Sequence, residues 1–385
     1  MKEKILSVLI VLLTGSAAVA QNMSQFKLLS DSAYQTNTMY QSSNKYQKDA
    51  MIFMDFVADT HPYYVKPERR TEWYAKKAAL LEQCKNIESD ETFVDALISV
   101  LGSLHDKHTD IYTVQRMQAL QKATKEQGTA NDAEKVDMSQ VMSPHNSFYD
   151  YKFFPEESIC YLQFNKCSNA PDYPFDRFLD DMFAKMKENH IKTLVVDAQY
   201  NGGGNSQLCS QLLTYLYPAD KLKHLKTNVR FSDLLATICP ESAQMKKDWE
   251  NDGHKDELYL IPSPKIPDDY QQPTLYEGQV VFVMGAKTYS SAGILMTLAR
   301  DNHIGTIIGT NSIFSPSHYG EILPYRLPNT DVLGTISCKF FERPDSASVD
   351  ETFLKPDYEV DLRDKAAAWQ FIVNHFSVPS KTNNK

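Results

Sequence analysis

Apolar residues follow one spacing rule in the first third of the chain and another in the rest. Within 44–58 they fall at Met51, Ile52, Met54, Phe56 and Val57, and His61-Pro62 then breaks the run. Within 68–84 they fall at Trp73, Ala75, Ala78, Leu80 and Leu81. After a Ser89/Asp90 cap they recur at Phe93, Val94, Leu97, Ile98, Leu101 and Leu104. Recurrence every three to four residues puts an apolar stripe on one face of a helix, so these stretches predict a small helical bundle. Residues 115–157 lose the periodicity. They are rich in Lys, Gln, Asp and Asn and predict a short helix with a polar loop.

From Ser158 the pattern turns to alternating strand and helix. Residues 159–164 alternate as a strand, and 173–189 form an amphipathic helix through Phe175, Phe178, Leu179, Met182, Phe183 and Met186. KTLVVD at 192–197 and QVVFVM at 279–284 are short runs rich in β-branched residues, the mark of strands buried on both faces. GTIIG at 305–309 predicts another strand, 321–327 and 332–341 a β-hairpin across Pro328–Asp331, and 366–376 a closing helix. The Pro-containing stretch 221–276 is expected to be surface elaboration between core strands. The fold class is α/β, divided into a helical segment 21–112, a polar connecting segment 113–157 and a core 158–385.

Residues 1–20 stand outside this scheme. Lys2 and Lys4, an apolar run over 5–13 and Ala18-Val19-Ala20 form a secretory signal peptide with cleavage expected before Gln21. No cysteine lies at that junction, which argues against a lipid anchor. No later run is long and apolar enough to cross a bilayer. The mature chain is expected to be exported, to the periplasm or outside the cell, with no membrane insertion. Formal net charge is −9 and no Lys/Arg cluster stands out, which argues against nucleic acid and anionic membranes as partners. Export permits disulfides among Cys84, Cys160, Cys167, Cys209, Cys239 and Cys338. A chain of 385 residues needs no such staples, so buried free thiols are expected for most of them. None has zinc-site spacing.

Candidate chemistry sits where strands give way to helices. After the strand 279–284, Gly285–Tyr289 breaks the run and helical spacing resumes from Ser290. A serine there has its hydroxyl at the end of a buried sheet, above the first free N–H groups of a helix. That suits a nucleophile whose attack creates an oxyanion. The plain alternative is a serine that only caps its helix. Tyr200-Asn-Gly-Gly-Gly-Asn205 follows the strand 192–197, and three glycines allow backbone amides to approach an anion closely. No GK[ST] follows and the GxGxxG spacing is absent, so this is not a phosphate loop. His105 and His108 form HxxH without the glutamate of a metalloprotease, leaving a single histidine as a general base.

Asp106-Lys-His108-Thr109, Leu194 to Gly204 (LVVDAQYNGGG), Thr288-Tyr-Ser-Ser-Ala292, Ile307-Ile-Gly309 and Lys355-Pro-Asp-Tyr-Glu-Val360 occur in that order. Together they resemble the serine peptidases of the tail-specific (C-terminal processing) and tricorn-core family, over roughly residues 90–375. The polar segment is too short for an inserted PDZ domain. The resemblance implies a crotonase/ClpP-like α/β spiral, a protein or peptide substrate, and no cofactor or metal. It makes Ser290 the nucleophile, with the N–H of Ser291 and one from Gly202, Gly203 or Gly204 as the oxyanion hole. Many members place a lysine base about twenty-five residues after the serine, where this chain has Ser315. The tricorn-like branch uses an earlier histidine and a late acid instead. His108 fits the histidine, and Glu351, with Asp350 as the alternative, fits the acid. Gln199 stands where the family often has arginine. The resemblance leaves room for a non-catalytic peptide- or ligand-binding member and for an esterase-type acyl hydrolase.

Overall fold

The chain begins with β1 (Lys27–Leu28) and the helices α1 (Thr38–Ser42), α2 (Lys45–Thr60), α3 (Pro67–Ala75), α4 (Lys77–Cys84) and α5 (Asp90–Leu101), followed by β2 (Asp110–Tyr112). The computed structural model describes residues 23–102, 104, 106–119, 148–263, 265–348 and 351–378. The signal-peptide expectation, His105, Asp350 and most of the polar segment lie outside them. Local signals explain the helix ends. Asn44 and Gln47 make a reciprocal capping box at α2, and Ser89 caps α5 with Asp90 and Glu91 in its first turn. The single helix expected over 68–84 is divided at Lys76 into α3 and α4.

Next come β3 (Tyr149–Phe154), β4 (Ile159–Phe164), α6 (Phe175–Glu188), β5 (Thr193–Asp197) and α7 (Ser206–Leu216). After β6 (Lys226–Val229), α8 (Asp233–Ile238), α9 (Glu241–Asn251) and β7 (Tyr259–Ile261) the chain returns through β8 (Gln279–Met284), α10 (Ser291–Asp301) and β9 (Thr306–Gly309). It closes with β10 (His318–Arg326), β11 (Leu333–Glu342), β12 (Tyr358–Glu359) and α11 (Lys365–Phe376).

One sheet has the order β12-β9-β8-β5-β4-β3, parallel except at β3–β4. Its strands are laid down in chain order, so right-handed crossovers place α6, α7 and α10 on one side. Strand alternation then sorts the core. Leu194, Val196, Phe282 and Met284 face those helices, while Val195, Val281 and Val283 face Trp369 and Ile372 of α11. Burial on both faces is why these strands read as unbroken apolar runs.

The second sheet has the order β1-β10-β11-β6-β7, with β2 also paired to β11. The helices α2–α5 share one apolar core with Leu323, Tyr325, Ile336 and Cys338 of this sheet. Buried Asp49 of α2 fixes the β10–β11 turn by accepting from the backbone N–H and side chain of both Asn329 and Thr330. The stretch 221–276 is more than surface elaboration. Its β6 pairs with β11, and Val229, Leu234 and Leu235 join the helical core. These apolar residues are too few, and too widely set among polar ones, to register as a core element. All six cysteines are buried free thiols.

Candidate active site

β5 and β8 are adjacent parallel strands, with Asp197 opposite Val283. Their carboxyl ends therefore deliver the glycine loop and the serine turn to the same place. The turn is pinned from several sides. Thr288 Oγ1 accepts from the Gly285 N–H (2.9 Å) and donates to the Ala198 carbonyl (2.8 Å). The Tyr289 N–H donates to the Asn201 carbonyl (3.0 Å), and Ser291 Oγ donates to the Gly204 carbonyl (2.6 Å).

Held in this way, Ser290 adopts φ 51° and ψ −123°, a combination that costs a non-glycine residue on the order of 1–3 kcal/mol. It is the N-cap residue of α10, yet its side chain makes no capping bond. Among the described residues its hydroxyl has no hydrogen-bond partner, unlike that of an ordinary capping serine. Gly203 lies directly against Ser290. With φ +99°, a Cβ added there would come within 2.7 Å of Ser290 Cβ and 2.9 Å of the Ser291 nitrogen. A side chain at Gly204 would strike the Cys167 carbonyl at 2.2 Å, so glycine is required at both positions.

The backbone donors at the site are not equivalent. The Gly203 N–H, expected in the oxyanion hole, donates to Asn201 Oδ1 at 2.9 Å and is therefore already engaged. Ser291 opens α10, where an N–H has no acceptor within its own helix. Among the described residues the Gly202 N–H has no acceptor either.

His108 reaches the serine turn from the other sheet. Its ring stacks on Tyr289, the residue before Ser290, with centroids 5.1 Å apart and planes at 26°. Nδ1 lies 3.4 Å from the Tyr289 hydroxyl and 3.5 Å from Asp106 Oδ1. Its backbone is tied down as well. The N–H donates to Asp106 Oδ1 (2.9 Å), and the carbonyl accepts from Thr335 Oγ1 of β11 (3.0 Å). Burial alone would raise the Asp106 pKa, but the hydrogen bonds from His108 and His61 hold it well below the usual carboxylate range. Buried His318 lies 6.2 Å from His108, ring to ring. Burial first, and His108 second, push its pKa down to about 3, so it adds no positive charge at neutral pH.

Glu351 is not brought to His108. Its carboxylate is held by Arg343 Nη1 at 2.5 Å, and the same guanidinium binds Asp301, the last residue of α10. Ser290 sits at the other end of that 11-residue helix, about 16 Å away at 1.5 Å per residue. The carboxylate beside His108 is Asp106, a residue of the Asp-Lys-His-Thr motif that carried no assigned role. Its signal was the spacing: an aspartate two residues before the histidine can accept that residue's N–H in an Asx turn.

Ser315 Oγ donates to the Ser317 carbonyl (2.6 Å). Gln199 binds Asp197, with its N–H on Oδ1 at 3.0 Å and its side-chain amide on Oδ2 at 2.9 Å. Asp197 thus has neutral partners only, including the Tyr161 hydroxyl at 2.7 Å, and burial lifts its pKa to about 6. Cavities of about 780 and 890 Å³ lie elsewhere, and neither is lined by Ser290 or His108.

Known structures share this arrangement of elements. Mature CPAF complexed with lactacystin matches with a TM-score of 0.57 at 12% identity, over 86% of this chain and 97% of that one. The photosystem II D1 C-terminal processing protease matches at 0.50 and 10%, over 83% and 94%. A lipoprotein from Streptococcus agalactiae matches at 0.50 and 11%, over 84% and 95%. At such identities these likenesses concern the fold alone. No curated protein matches by sequence. Peptidase family S41 matches residues 158–360, more than half of the chain and every strand of the parallel sheet except β3. The chain belongs to peptidase family S41 and is a serine-type peptidase, a hydrolase of peptide bonds in protein substrates.

Proposed function

We propose that this chain is an exported serine endopeptidase in which Ser290 attacks the scissile carbonyl, His108 takes the serine proton and Asp106 supports His108. The observation that carries the reading is the Ser290 turn. A strained serine with an unengaged hydroxyl stands at the start of α10, against Gly203 and next to the tyrosine on which His108 stacks. Strain maintained by a surrounding network is a mark of functional positions. In this scheme attack forms a tetrahedral oxyanion facing the Ser291 and Gly202 N–H groups. Each such donor is worth about 3–4 kcal/mol in the transition state. His108 returns its proton to the leaving amine, and water then releases the acyl group by the reverse path.

Asp106 takes the third role because it is the carboxylate beside His108, while Glu351 is bound to Arg343. Lys339, the buried lysine of β11, is paired with Glu321 at 3.2 Å and so does not supply the lysine missing at Ser315. Export is supported by the signal-peptide pattern in residues 1–20. Among the described residues no helix is long and apolar enough to cross a membrane.

A fluorophosphonate probe on the mature protein tests the reading. Labelling is expected at Ser290 and absent in Ser290→Ala, with the fold retained by circular dichroism. Equal labelling of both proteins would remove the assignment. No labelling of the folded wild type would favour a non-catalytic binding member. Turnover of ester but not peptide substrates would favour an esterase.

A further inference from the structure

His61, the residue that ends α2, is fully buried, and its ring nitrogens have separate partners. Nδ1 accepts the Tyr63 N–H at 3.1 Å, so it carries a lone pair rather than a proton. The proton of the neutral ring is therefore on Nε2, 3.0 Å from Asp106 Oδ2, and is donated to it. The backbone is clamped too: the His61 N–H donates to Val57 (3.0 Å), and the His61 carbonyl accepts from Tyr64 (3.1 Å). The ring packs 4.7 Å from that of Tyr319.

Asp106 is held unevenly. Oδ2 accepts from His61 Nε2, from Thr109 Oγ1 (2.7 Å) and from Ser337 Oγ of β11 (2.7 Å). Oδ1 takes the His108 N–H and faces the His108 ring. With donors from three parts of the chain on one oxygen, the carboxylate cannot rotate, and Oδ1 stays directed at His108. A lysine in place of His61 would hold the carboxylate but offset its charge. A neutral imidazole leaves that charge available to the imidazolium formed when His108 accepts the serine proton.

We propose that His61 is a positioning residue of the peptidase machinery, a fixed neutral Nε2–H donor that orients Asp106 and through it His108. The proposal rests on the reading of Ser290, His108 and Asp106 given above. It makes the N-terminal helical segment a working part of the site.

The test compares full-length wild type, His61→Gln and His61→Phe, with rates normalised to the fraction of sites titrated by the fluorophosphonate. Glutamine retains an amide N–H that can reach Asp106, and phenylalanine does not. His61→Phe is expected to lower kcat on the order of 10- to 100-fold with KM within about 3-fold, and to displace the acid limb of its pH profile. His61→Gln should recover most of the loss. Wild-type kcat in folded His61→Phe, or equal loss in both variants, would overturn the proposal. If His61→Phe does not fold, nitrogen-15 NMR of wild type decides: a proton on Nε2 supports the proposal, and a neutral ring protonated on Nδ1 overturns it. Failure of Ser290→Ala or His108→Ala to lose activity would instead strike the underlying reading, so the two failures are distinguishable.

Discussion

The serine half and the histidine half of the site are built by different means. The serine half is made of backbone: two adjacent parallel strands end in turns whose carbonyls and amides interlock, and glycine is forced where the turns touch. The histidine half is made of side chains drawn from α2, the loop before β2 and β11, meeting on one carboxylate. Backbone placement is set by steric exclusion and tolerates little change. A side-chain network is set by hydrogen bonds, each replaceable but strongly coupled to the others. In the proposed site Ser290 is positioned by the fold itself, and His108 by a separate network that can be dismantled bond by bond.

Removing the base should separate the halves most sharply. His108→Ala is expected to lose about 10³-fold or more in kcat while the serine turn keeps its shape. Full turnover in the variant would break the pairing of the halves.

The carboxylates come next. Asp106→Asn should lower kcat by about 10²- to 10⁴-fold, because the amide does not stabilise the protonated imidazole. Glu351→Gln should stay within about 3-fold, since it loosens only a half-exposed contact with Arg343. The reverse ranking in steady-state kinetics would restore the late acid and remove Asp106.

On the serine side, Gly203→Ala places a methyl group against Ser290 at a positive φ. It should slow fluorophosphonate labelling by about 100-fold and destabilise the fold by about 1–3 kcal/mol. Wild-type labelling would mean that the two turns are less tightly joined than their geometry implies.

The smallest effect concerns Asp197 beneath the glycine loop. Its pKa is raised from 3.8 to about 6, chiefly by burial, so the folded state binds its proton more tightly than the unfolded state does. The stability it contributes is present below about pH 4 and is lost as pH rises through about 6, amounting to no more than about 3 kcal/mol. Asp197→Asn should flatten the dependence of Tm on pH between 4 and 7. An unchanged slope would show that Asp197 is not the group responsible.

The same contrast explains what was legible in the sequence. The strands 159–164, read from alternation, and 279–284, read as an unbroken apolar run buried on both faces, coincide with β4 and β8. Ser290 and the glycines stood out because turn chemistry is local. His61 read only as the end of a helix, since its partner lies 45 residues away and no periodicity links the two. The resemblance points to a late acid, and Glu351 is instead bound by Arg343. β6 and α8 were hidden among polar residues because only four or five apolar positions attach them to the core.

Dependence of the histidine half on β11 also bears on when the proposed site can assemble. His61, Asp106 and His108 belong to the first third of the polypeptide, yet the Thr335 and Ser337 hydroxyls that seat them lie beyond residue 330. In the proposed scheme, a chain made from its N-terminus would therefore hold His108 and Asp106 unseated until β11 has been made. Activity would follow only after β11 has been made and packed against the loop that carries Asp106 and His108.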